Sequence, residues 1–528
     1  MTTDTADAPA PTGTAARWWA LAAIGLAMLA VGLDVTVLNV ALPTMSTSLH
    51  ASISQLQWFA DGYTLVMAAM LLPAGMLGDR IGRKRLLLAA LVVFGAASAW
   101  CAFSGDPGTL IAARVCLGLA AAVLTPLGSA VFLVLFPEPA ERTKAMAVLS
   151  SAMMLGLPLG PVVGGALLEH FWWGSVFLIN VPLVVVAIVA VALLVPESRG
   201  DRPPSIDLVG VVASSLGLVG VTYGVIEAGQ YGWGDATAWA PLVAGALVLA
   251  WLVLWERRMT RDGDPLVDLR LFRSRGFSWG TTFTVMVSFA MFGLMFFLPL
   301  YYQSVQGSTT LGTGLKLLPM IGGLLVGAGV AGRIKAGIGI TAIPTLGFVL
   351  TAAGLFLGAT TTVRSGYGFT AIWLVVMGAG LGLAMTRTMT AALNALSTER
   401  AGVGSALIQA LRQVGGAIGI ALLGSFANSG YRDRLTLPAL PTPVTDAVRG
   451  SVATGVQVAE RLRIPGLFDA VRSAFVGAMD TTLWVCGGVA ALAAVLAALF
   501  LRADRPMIAG APADQRPEAL DVSQLEVS

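Results

Sequence analysis

The chain has 528 residues, of which 56% are apolar and only 12% are charged, and its formal net charge is +3. A soluble domain carries about twice that charged fraction, so the composition excludes an ordinary soluble protein, and the mild net charge argues against a nucleic-acid partner. Apolar runs of about 20 residues or more recur from end to end, and each is long enough to cross a bilayer core of about 30 Å.

Taken in chain order, these runs predict an all-α polytopic membrane protein with fourteen transmembrane helices. An even number of spans places both termini on one side of the membrane. The predicted spans are 18–42, 57–78, 85–104, 108–134, 145–168, 175–195, 207–228, 238–255, 278–302, 315–335, 341–361, 369–392, 402–427 and 479–502.

Lys and Arg are concentrated in the loops that follow even-numbered spans. Cytoplasmic loops are enriched in these residues, so both termini are predicted to be cytoplasmic. The long loop 428–478 also carries six Arg residues, but long loops cross membranes largely regardless of charge. Within it, 445–463 and 467–478 are predicted to be amphipathic helices on the outer surface. The basic residues of the even-numbered loops are Arg80, Arg83, Lys84, Arg85, Arg142, Lys144, Arg199, Arg202, Arg257, Arg258, Arg261, Arg270, Arg273, Arg275, Arg333 and Lys335.

Three ionisable residues stand out in the apolar spans of the first half of the chain. Asp34 is deep in span 1, Asp61 opens span 2 and Arg114 is in span 4. A buried carboxylate is costly unless it is paired or protonated, and a buried Arg needs a partner. We interpret Arg114 as a fixed charge beside Asp34 or Asp61, and either acid is a candidate to carry a proton. The alternative interpretation is a structural polar contact for Asp34, a purely structural pair for Arg114 and an interfacial acid for Asp61.

The loop after span 2 combines an acid, several bases and two glycines at a tight turn. Asp79 among the bases is predicted to face a helix N-terminus or to pair with an Arg, and either contact would latch two helix bundles together on the cytoplasmic side. The alternative is a simple positive-inside anchor. The residues concerned are Gly75, Gly78, Asp79, Arg80, Gly82, Arg83 and Lys84.

Span 5 has glycines at four-residue spacing with prolines between them. Gly156, Gly160 and Gly164 share one helix face, which lets another helix approach closely. Pro158 and Pro161 bend the helix, a distortion that membrane helices tolerate. The alternative interpretation of this segment is helix packing alone.

Together these segments resemble the Major Facilitator Superfamily, and within it the fourteen-helix drug:proton antiporters. The loop fits G-x-L-x-D-R-x-G-R-K, and span 5 fits the antiporter signature G-x-x-x-G-P-x-x-G-G through Gly165. Leu33–Pro43 is similar to the first-helix signature, and Arg114–Gly118 to R-x-x-x-G. The resemblance covers about residues 18–502.

The resemblance implies two six-helix bundles, spans 1–6 and 9–14, with spans 7 and 8 inserted between them and a central cavity about which the bundles rock. The predicted segments are a disordered cytoplasmic N-terminus 1–16, a first bundle 17–200, a linker pair with its cytoplasmic loop 201–276, a second bundle 277–502 that includes the outer loop 428–478, and a cytoplasmic tail 503–528.

The function implied is proton-coupled antiport that exports lipophilic drugs or antibiotics across the cell membrane. The alternative is a dedicated exporter of one endogenous metabolite, giving self-resistance to an antibiotic made by the host. No enzyme activity or cofactor is expected, and no G-x-x-x-x-G-K-[ST] motif is present for ATP. With two histidines and three dispersed cysteines, no metal site is expected. The partners expected are small molecules, protons and the lipid bilayer, and the chain is expected to be monomeric.

The predicted cavity residues come from both halves. Spans 10 and 13 contain no acid, so the second bundle is not an acidic trap, which favours neutral, zwitterionic or weakly cationic substrates. Contact of Arg412 with an anionic group is a further alternative. The cavity set is Asn39, Tyr63, Phe296, Tyr301, Gln303, Gln409, Arg412 and Gln413.

Overall fold

The computed structural model describes residues 14–136, 138–199, 207–262, 266–334, 341–396, 401–438 and 440–501, and in these ranges every regular element is helical. The helices are α1 Thr14–Ser48, α2 Ile53–Ile81, α3 Arg83–Ala102, α4 Pro107–Leu135, α5 Pro139–His170, α6 Ser175–Leu178, α7 Asn180–Leu194, α8 Leu208–Tyr231, α9 Ala236–Asp262, α10 Arg275–Leu300, α11 Thr310–Arg333, α12 Ala342–Gly358, α13 Tyr367–Asn394, α14 Ala401–Arg434, α15 Thr442–Gly450, α16 Val452–Leu462 and α17 Leu467–Phe500.

Within the described residues, twelve helical segments are long and apolar enough to cross a membrane, with α6 and α7 counted as one segment. A helix satisfies its backbone hydrogen bonds internally, which is why an apolar chain adopts it in lipid. The shorter α12, Ala342–Gly358, is also apolar, and α5 runs for 32 residues. The chain is therefore a multi-pass membrane protein.

The long helices pack as two groups with matching interfaces. In the first group α1 packs on α5 and α7, α2 on α4, and α3 on α4 and α7. In the second group α13 packs on α11 and α12, and α14 packs on α10 and α17. The groups meet where α2 contacts α14 and where α5 contacts α11. We call these groups the first and second bundles.

The inserted pair α8 and α9 lies outside both bundles. The hydroxyl of Ser425 on α14 donates to the carbonyl of Val225 at 2.7 Å, and Asn428 Nδ2 donates to that of Gly229 at 3.1 Å, so α8 is docked on α14. In contrast, α9 exposes an apolar stripe at helical spacing, as expected for a lipid-facing helix. The stripe includes Trp239, Val243, Leu247, Trp251 and Leu254.

The bundles have two distinct ends. At one end, which we call the first face, α1 and α10 begin and α17 ends, and Trp279 stacks on Phe500 with ring centroids 4.7 Å apart. At the other end, the second face, α1 and α10 finish close together, and Gln303 Nε2 donates to the carbonyl of Val40 at 2.8 Å. The small helices α15 and α16 pack at this second face, because α16 contacts both α1 and α17.

The limits predicted for the two outer helices are wrong. The segment 467–478 is not a separate surface helix but the first turns of α17, because the last break before the span is at Gly466, whose φ is +76°. The segment 445–463 is divided at Ser451 into α15 and α16. The tails 1–13 and 502–528, and the loop residues Arg202 and Lys335, lie outside the described residues, and α1 begins at Thr14 inside the predicted disordered stretch.

Candidate functional site

An ion pair lies in the interior of the first bundle. Asp34 on α1 is 0% exposed and Arg114 on α4 is 1% exposed, and Arg114 Nη1 lies 2.6 Å from Asp34 Oδ2. Arg114 Nε also donates to the carbonyl of Phe59 on α2 at 2.8 Å. The guanidinium therefore ties three helices together, and its acidic partner is Asp34.

The ion pair is surrounded by further polar and aromatic groups. Asn180 Nδ2 lies 3.4 Å from Asp34 Oδ1 and 3.4 Å from Ser98 Oγ. The ring of Tyr63 lies 4.5 Å from the guanidinium carbon of Arg114, a cation–π arrangement. Sequence reasoning did not identify Asn180 or Ser98 as site residues. Asn180 could have been identified from the sequence, because it is a polar amide at the start of an otherwise apolar helix.

Asp61 has a different environment. Its side chain is 0% exposed, and Thr64 Oγ1 lies 3.4 Å from Asp61 Oδ1. Asp61 Oδ2 has no hydrogen-bond partner among the described residues. One turn earlier on α2, Gln57 Nε2 donates to the carbonyl of Ala421 on α14 at 2.9 Å. Asp61 thus lies one helical turn after Gln57, which contacts the second bundle, whereas Asp34 lies in the interior of the first bundle.

The glycines of α5 set the position of α1 around Asp34. A Cβ on Gly156 would lie 2.7 Å from the carbonyl carbon of Gly32, and one on Gly160 would overlap Thr36. Thr36 Oγ1 also lies 3.2 Å from the carbonyl of Gly156. The backbones of α1 and α5 therefore approach closely on both sides of Asp34, because the facing positions of α5 have no side chains.

The remaining residues of the antiporter motif extend this packing into the second bundle. Gly164 faces Val37 of α1. A Cβ on Gly165 would lie 2.7 Å from the Cα of Leu311 on α11, and Thr310 Oγ1 donates to the carbonyl of Gly165 at 3.0 Å. Pro161 packs against the same helix through its carbonyl. One face of α5 thus packs against α1, and the end of α5 closest to the second face packs against α11.

The loop motif after α2 makes its contacts within the first bundle. Asp79 Oδ1 accepts from Arg83 Nη2 at 2.9 Å and from Arg83 Nε at 3.0 Å. Gly82 has φ +122°, a conformation that favours glycine. Gly75 approaches Pro126 and Gly78 approaches Leu127, so α4 packs against both glycines. Arg80 is exposed.

Glu197, which was not predicted from the sequence to be a site residue, contacts this loop motif. Glu197 Oε1 accepts from the backbone N–H of Lys84 at 3.1 Å, and Arg85 Nε lies 3.6 Å from Glu197 Oε2. Lys84 Nζ donates to the carbonyl of Ala192 at 2.7 Å. The acid therefore sits at the N-terminus of α3, where a negative charge is favourable. These contacts tie the α2–α3 turn to the end of α7, whereas the sequence predicted a latch between the bundles.

A hollow lies between the bundles, with two residues of α1 on one side and α10 and α11 on the other. Its lining is mostly apolar and rich in methionine, whose flexible thioethers adapt to varied apolar shapes. Asn39 is the predicted cavity residue that lines it. The lining residues are Thr36, Asn39, Met291, Phe292, Met295, Met320, Ile321 and Leu324.

The other predicted cavity residues take varied positions. Phe296 and Tyr301 are 1% and 0% exposed and lie in helix packing, and Tyr63 lies against Arg114. Gln413 Nε2 lies 2.8 Å from Met67 Sδ on α2. Arg412 Nη1 donates to Gln409 Oε1 at 3.0 Å. Within the described ranges, no group of three or more His, Cys, Asp or Glu side chains could hold a metal ion.

Comparison with known proteins agrees with this architecture. The chain is 34% identical over 526 residues to the tetracenomycin C resistance and export protein of Streptomyces glaucescens, covering 96% of this chain and 97% of that protein. It is 33% identical over 518 residues to the multidrug efflux pump LfrA of Mycolicibacterium smegmatis, covering 95% and 100%. A solved bacterial homologue of the human lysosomal transporter Spinster, inward-facing and unoccupied, matches with a TM-score of 0.65 at 15% identity, covering 93% and 98%.

A family-level match also covers most of the chain. Residues 24–420 match the family pattern described as Major Facilitator Superfamily. The two sequence relatives named above are an antibiotic resistance and export protein and a multidrug efflux pump, and with the family match they show that the chain is a transport protein and not an enzyme. On these grounds the chain belongs to the Major Facilitator Superfamily.

Proposed function

We propose that this protein is a proton-coupled antiporter that exports lipophilic organic molecules, such as drugs or antibiotics, across the cell membrane. The observation that carries the proposal is the buried pair of Asp34 and Arg114. An Arg stays charged, whereas a carboxylate in a membrane interior can exist paired or protonated. Asp34 is on the same helix as Thr36 and Asn39, which line the hollow between the bundles. A proton bound at Asp34 therefore acts on the helix that contacts substrate.

The cycle follows from this placement. Substrate enters the hollow from the cytoplasm or the inner leaflet while the second face is closed. Opening of the second face exposes Asp34 to outside protons, and protonation weakens its pairing with Arg114 as substrate leaves. The protonated carrier returns and releases the proton inside. Each charge moved across 100 mV contributes about 2.3 kcal/mol and each pH unit about 1.36 kcal/mol, enough for substantial accumulation.

The membrane arrangement belongs to the same proposal. With α5 and α12 added to the twelve candidate spans, the chain crosses the membrane fourteen times. The loops rich in Lys and Arg support a cytoplasmic location for the first face. The contacts at the second face, from Gln303 to Val40 and from Thr310 to Gly165, then form the outer seal. We also propose that the protein works as a monomer with no cofactor, because each bundle interior is completed by its own helices.

A dedicated exporter of one antibiotic is the second candidate. It is favoured by the likeness over nearly the full length to a protein named for resistance to, and export of, tetracenomycin C. The methionine-rich lining suits either role, so substrate breadth decides between them.

The test measures accumulation of dyes and antibiotics in efflux-deficient bacteria that make wild type or Asp34→Asn, with and without a protonophore. We expect wild type to lower accumulation, and both the protonophore and the substitution to abolish the effect. Asp106→Asn is the matched control, because Asp106 is exposed beside the start of α4 and Asn also caps helices well. Full pumping by Asp34→Asn would contradict coupling at this residue and make Asp61 the candidate. Export of a single compound from a broad panel would favour the dedicated exporter.

A further inference from the structure

Arg412 on α14 is a cation without an acidic partner in the described part of the chain. Arg412 Nη1 donates to Gln409 Oε1 at 3.0 Å, and Arg412 Nε lies 3.4 Å from Ser288 Oγ on α10. Both contacts are to neutral groups. The ion pairs in the described ranges involve Arg17, Arg83, Arg85 and Arg114 but not Arg412. A guanidinium has five N–H donors, so most of its hydrogen-bonding capacity is unused by these two acceptors.

The contrast with Arg114 indicates that this is not simply a packing cation. Both arginines lie within long apolar helices, Arg114 on α4 and Arg412 on α14. Arg114 is 1% exposed and is neutralised by Asp34 at 2.6 Å. Arg412 is only partly buried. A charge in a membrane interior is costly, and such charges generally face a partner or a water-filled path. Because no carboxylate of the described chain supplies the countercharge, a transported molecule is the natural source of it.

Arg412 lies near the hollow but is not one of its lining residues. Its partner Ser288 is one helical turn before Met291 and Phe292, which line the hollow from α10. The next residue, Gln413, contacts Met67 of the first bundle at 2.8 Å. Arg412 therefore lies about one helical turn from the lining, on the side of the hollow closest to the first face, and the helix that carries it packs against α2 of the first bundle.

We infer that the preferred substrates are lipophilic organic acids whose anionic group pairs with Arg412. The inference rests on the proposed function and specifies its substrate class. A planar guanidinium binds an acidic group through two parallel hydrogen bonds. The apolar body of the same molecule then lies against Met291, Met295 and Met320. A lipophilic cation would instead be repelled by Arg412, and no acid lines the hollow to attract it.

The test uses two dyes that differ in a single acidic group, the anion 8-anilinonaphthalene-1-sulfonate and the neutral N-phenyl-1-naphthylamine. Inside-out vesicles containing the full chain are energised with a proton gradient, and dye retained on filters is measured after solubilisation. We expect wild type to accumulate the anion in preference to the neutral dye. Arg412→Gln should lower the ratio of anion to neutral uptake by about tenfold or more, the usual size of one lost charge-assisted contact, and Arg412→Lys should lower it less.

Arg387→Gln is the matched control, because it removes a cation from the same bundle. Arg387 donates to the carbonyl of Ile334 at 2.6 Å, past the end of α11, whereas Arg412 contacts Ser288 one helical turn from the lining of the hollow. The ratio of the two dyes should be the same in this variant as in wild type. The ratio, unlike the absolute rate, does not depend on how much protein is inserted.

Three results would overturn the inference. They are the absence of anion uptake by wild type, an unchanged ratio in Arg412→Gln, and a ratio that falls equally in Arg387→Gln. If Arg412→Gln does not insert, an unchanged ratio in Arg412→Lys overturns the inference and a lowered ratio supports it. The proposed function is tested separately by the Asp34→Asn experiment, since a pump that exports only neutral or cationic compounds would satisfy that test and fail this one.

Discussion

Asp34 and Arg114 show why breaking a buried ion pair differs from replacing it. With one partner removed, the other charge remains in a membrane interior without a countercharge, and this costs about 3–5 kcal/mol in buried sites. With both charges removed and the shapes kept, the cost is small. The two effects separate the structural role of the pair from its proposed role in coupling.

At this scale we predict the behaviour of a double-mutant cycle. Arg114→Gln should lower the thermal unfolding midpoint in detergent strongly, because it leaves Asp34 unpaired at a position that is 0% exposed. Asp34→Asn with Arg114→Gln should recover most of that loss, since both groups are then neutral. Coupled export should be absent in both variants, because no carboxylate remains at position 34 in the double variant and its partner is lost in the single one.

The measurements are midpoints by fluorescence-detected size exclusion after heating, and energised efflux for each variant. A double variant as unstable as Arg114→Gln would show that Asp34 is not the group that requires the charge of Arg114. A double variant that still pumps against a gradient would remove Asp34 from the coupling mechanism.

At the scale of elements, α5 packs closely against both α1 and α11. Its glycine face lets the backbone of α1 approach within van der Waals distance of Gly156 and Gly160, and Gly165 does the same for α11. The helix that carries Asp34 is therefore held by the helix that also meets the second bundle. Relative movement of the two bundles can therefore be transmitted to Asp34 through the packing of α5 on α1.

We predict that Gly160→Ala impairs both folding and export. The added methyl would overlap Thr36, whose neighbouring backbone leaves little room to shift, and overpacking of this kind costs about 1–3 kcal/mol. Adding Thr36→Ala should recover part of the loss, because it removes the hydroxyl that is overlapped. Thermal midpoint and efflux rate are the readouts.

Gly329→Ala on α11 is the matched control. A Cβ there meets nothing within 4 Å, and Ala is favoured over Gly in a helix by about 1 kcal/mol, so stability should be equal or higher. If Gly160→Ala behaves like Gly329→Ala, the close approach of α1 and α5 has no functional importance.

At the scale of the whole molecule, the second face is closed by contacts from several elements. Ser46 near the end of α1 and Ser451 between α15 and α16 have hydroxyl oxygens 2.7 Å apart, and both residues are buried. Ser451 belongs to the segment that joins α14 to α17, so this contact links the first bundle to the second. Opening of the second face must separate the two serines if the bundles rock apart there.

We therefore predict that a disulfide at this point stops export. Ser46→Cys with Ser451→Cys, in a background where Cys101, Cys116 and Cys486 are replaced, should oxidise readily because the paired oxygens are already close to sulfur–sulfur bonding distance. Oxidation should abolish energised efflux, and a reductant should restore it. Formation of the bond is measured by mass spectrometry of the linked peptides.

Each single Cys variant serves as control and should pump equally with oxidant and with reductant. Efflux that continues in the fully cross-linked protein would show that α1 and the α15–α16 segment move together, and the opening would then have to occur elsewhere on the second face.

Much of this organisation follows from the sequence because membrane insertion depends on local properties. Apolar runs of sufficient length, basic loops and glycine spacing are readable without knowing which helices touch. The helix α17 shows what the sequence does not predict. A short amphipathic stretch ahead of a span does not reveal whether the two form one continuous helix. In the structure they do, because the last break in the chain is at Gly466, before both of them. The loop motif is similar, since its residues were recognised but their contacts with Glu197 were not.

The sequence by itself determined the class of protein, the family, the polar residues in apolar helices and the close-packing face of α5, because each depends on composition or on spacing along one helix. Only the tertiary structure decided that Arg114 pairs with Asp34 and not with Asp61, that Asn180 completes this site, and that Arg412 lacks a described acidic partner. Those outcomes depend on which side chains from distant segments meet within a few ångströms. In a bundle of similar apolar helices the packing arrangement settles that question, and the pattern within any one helix does not.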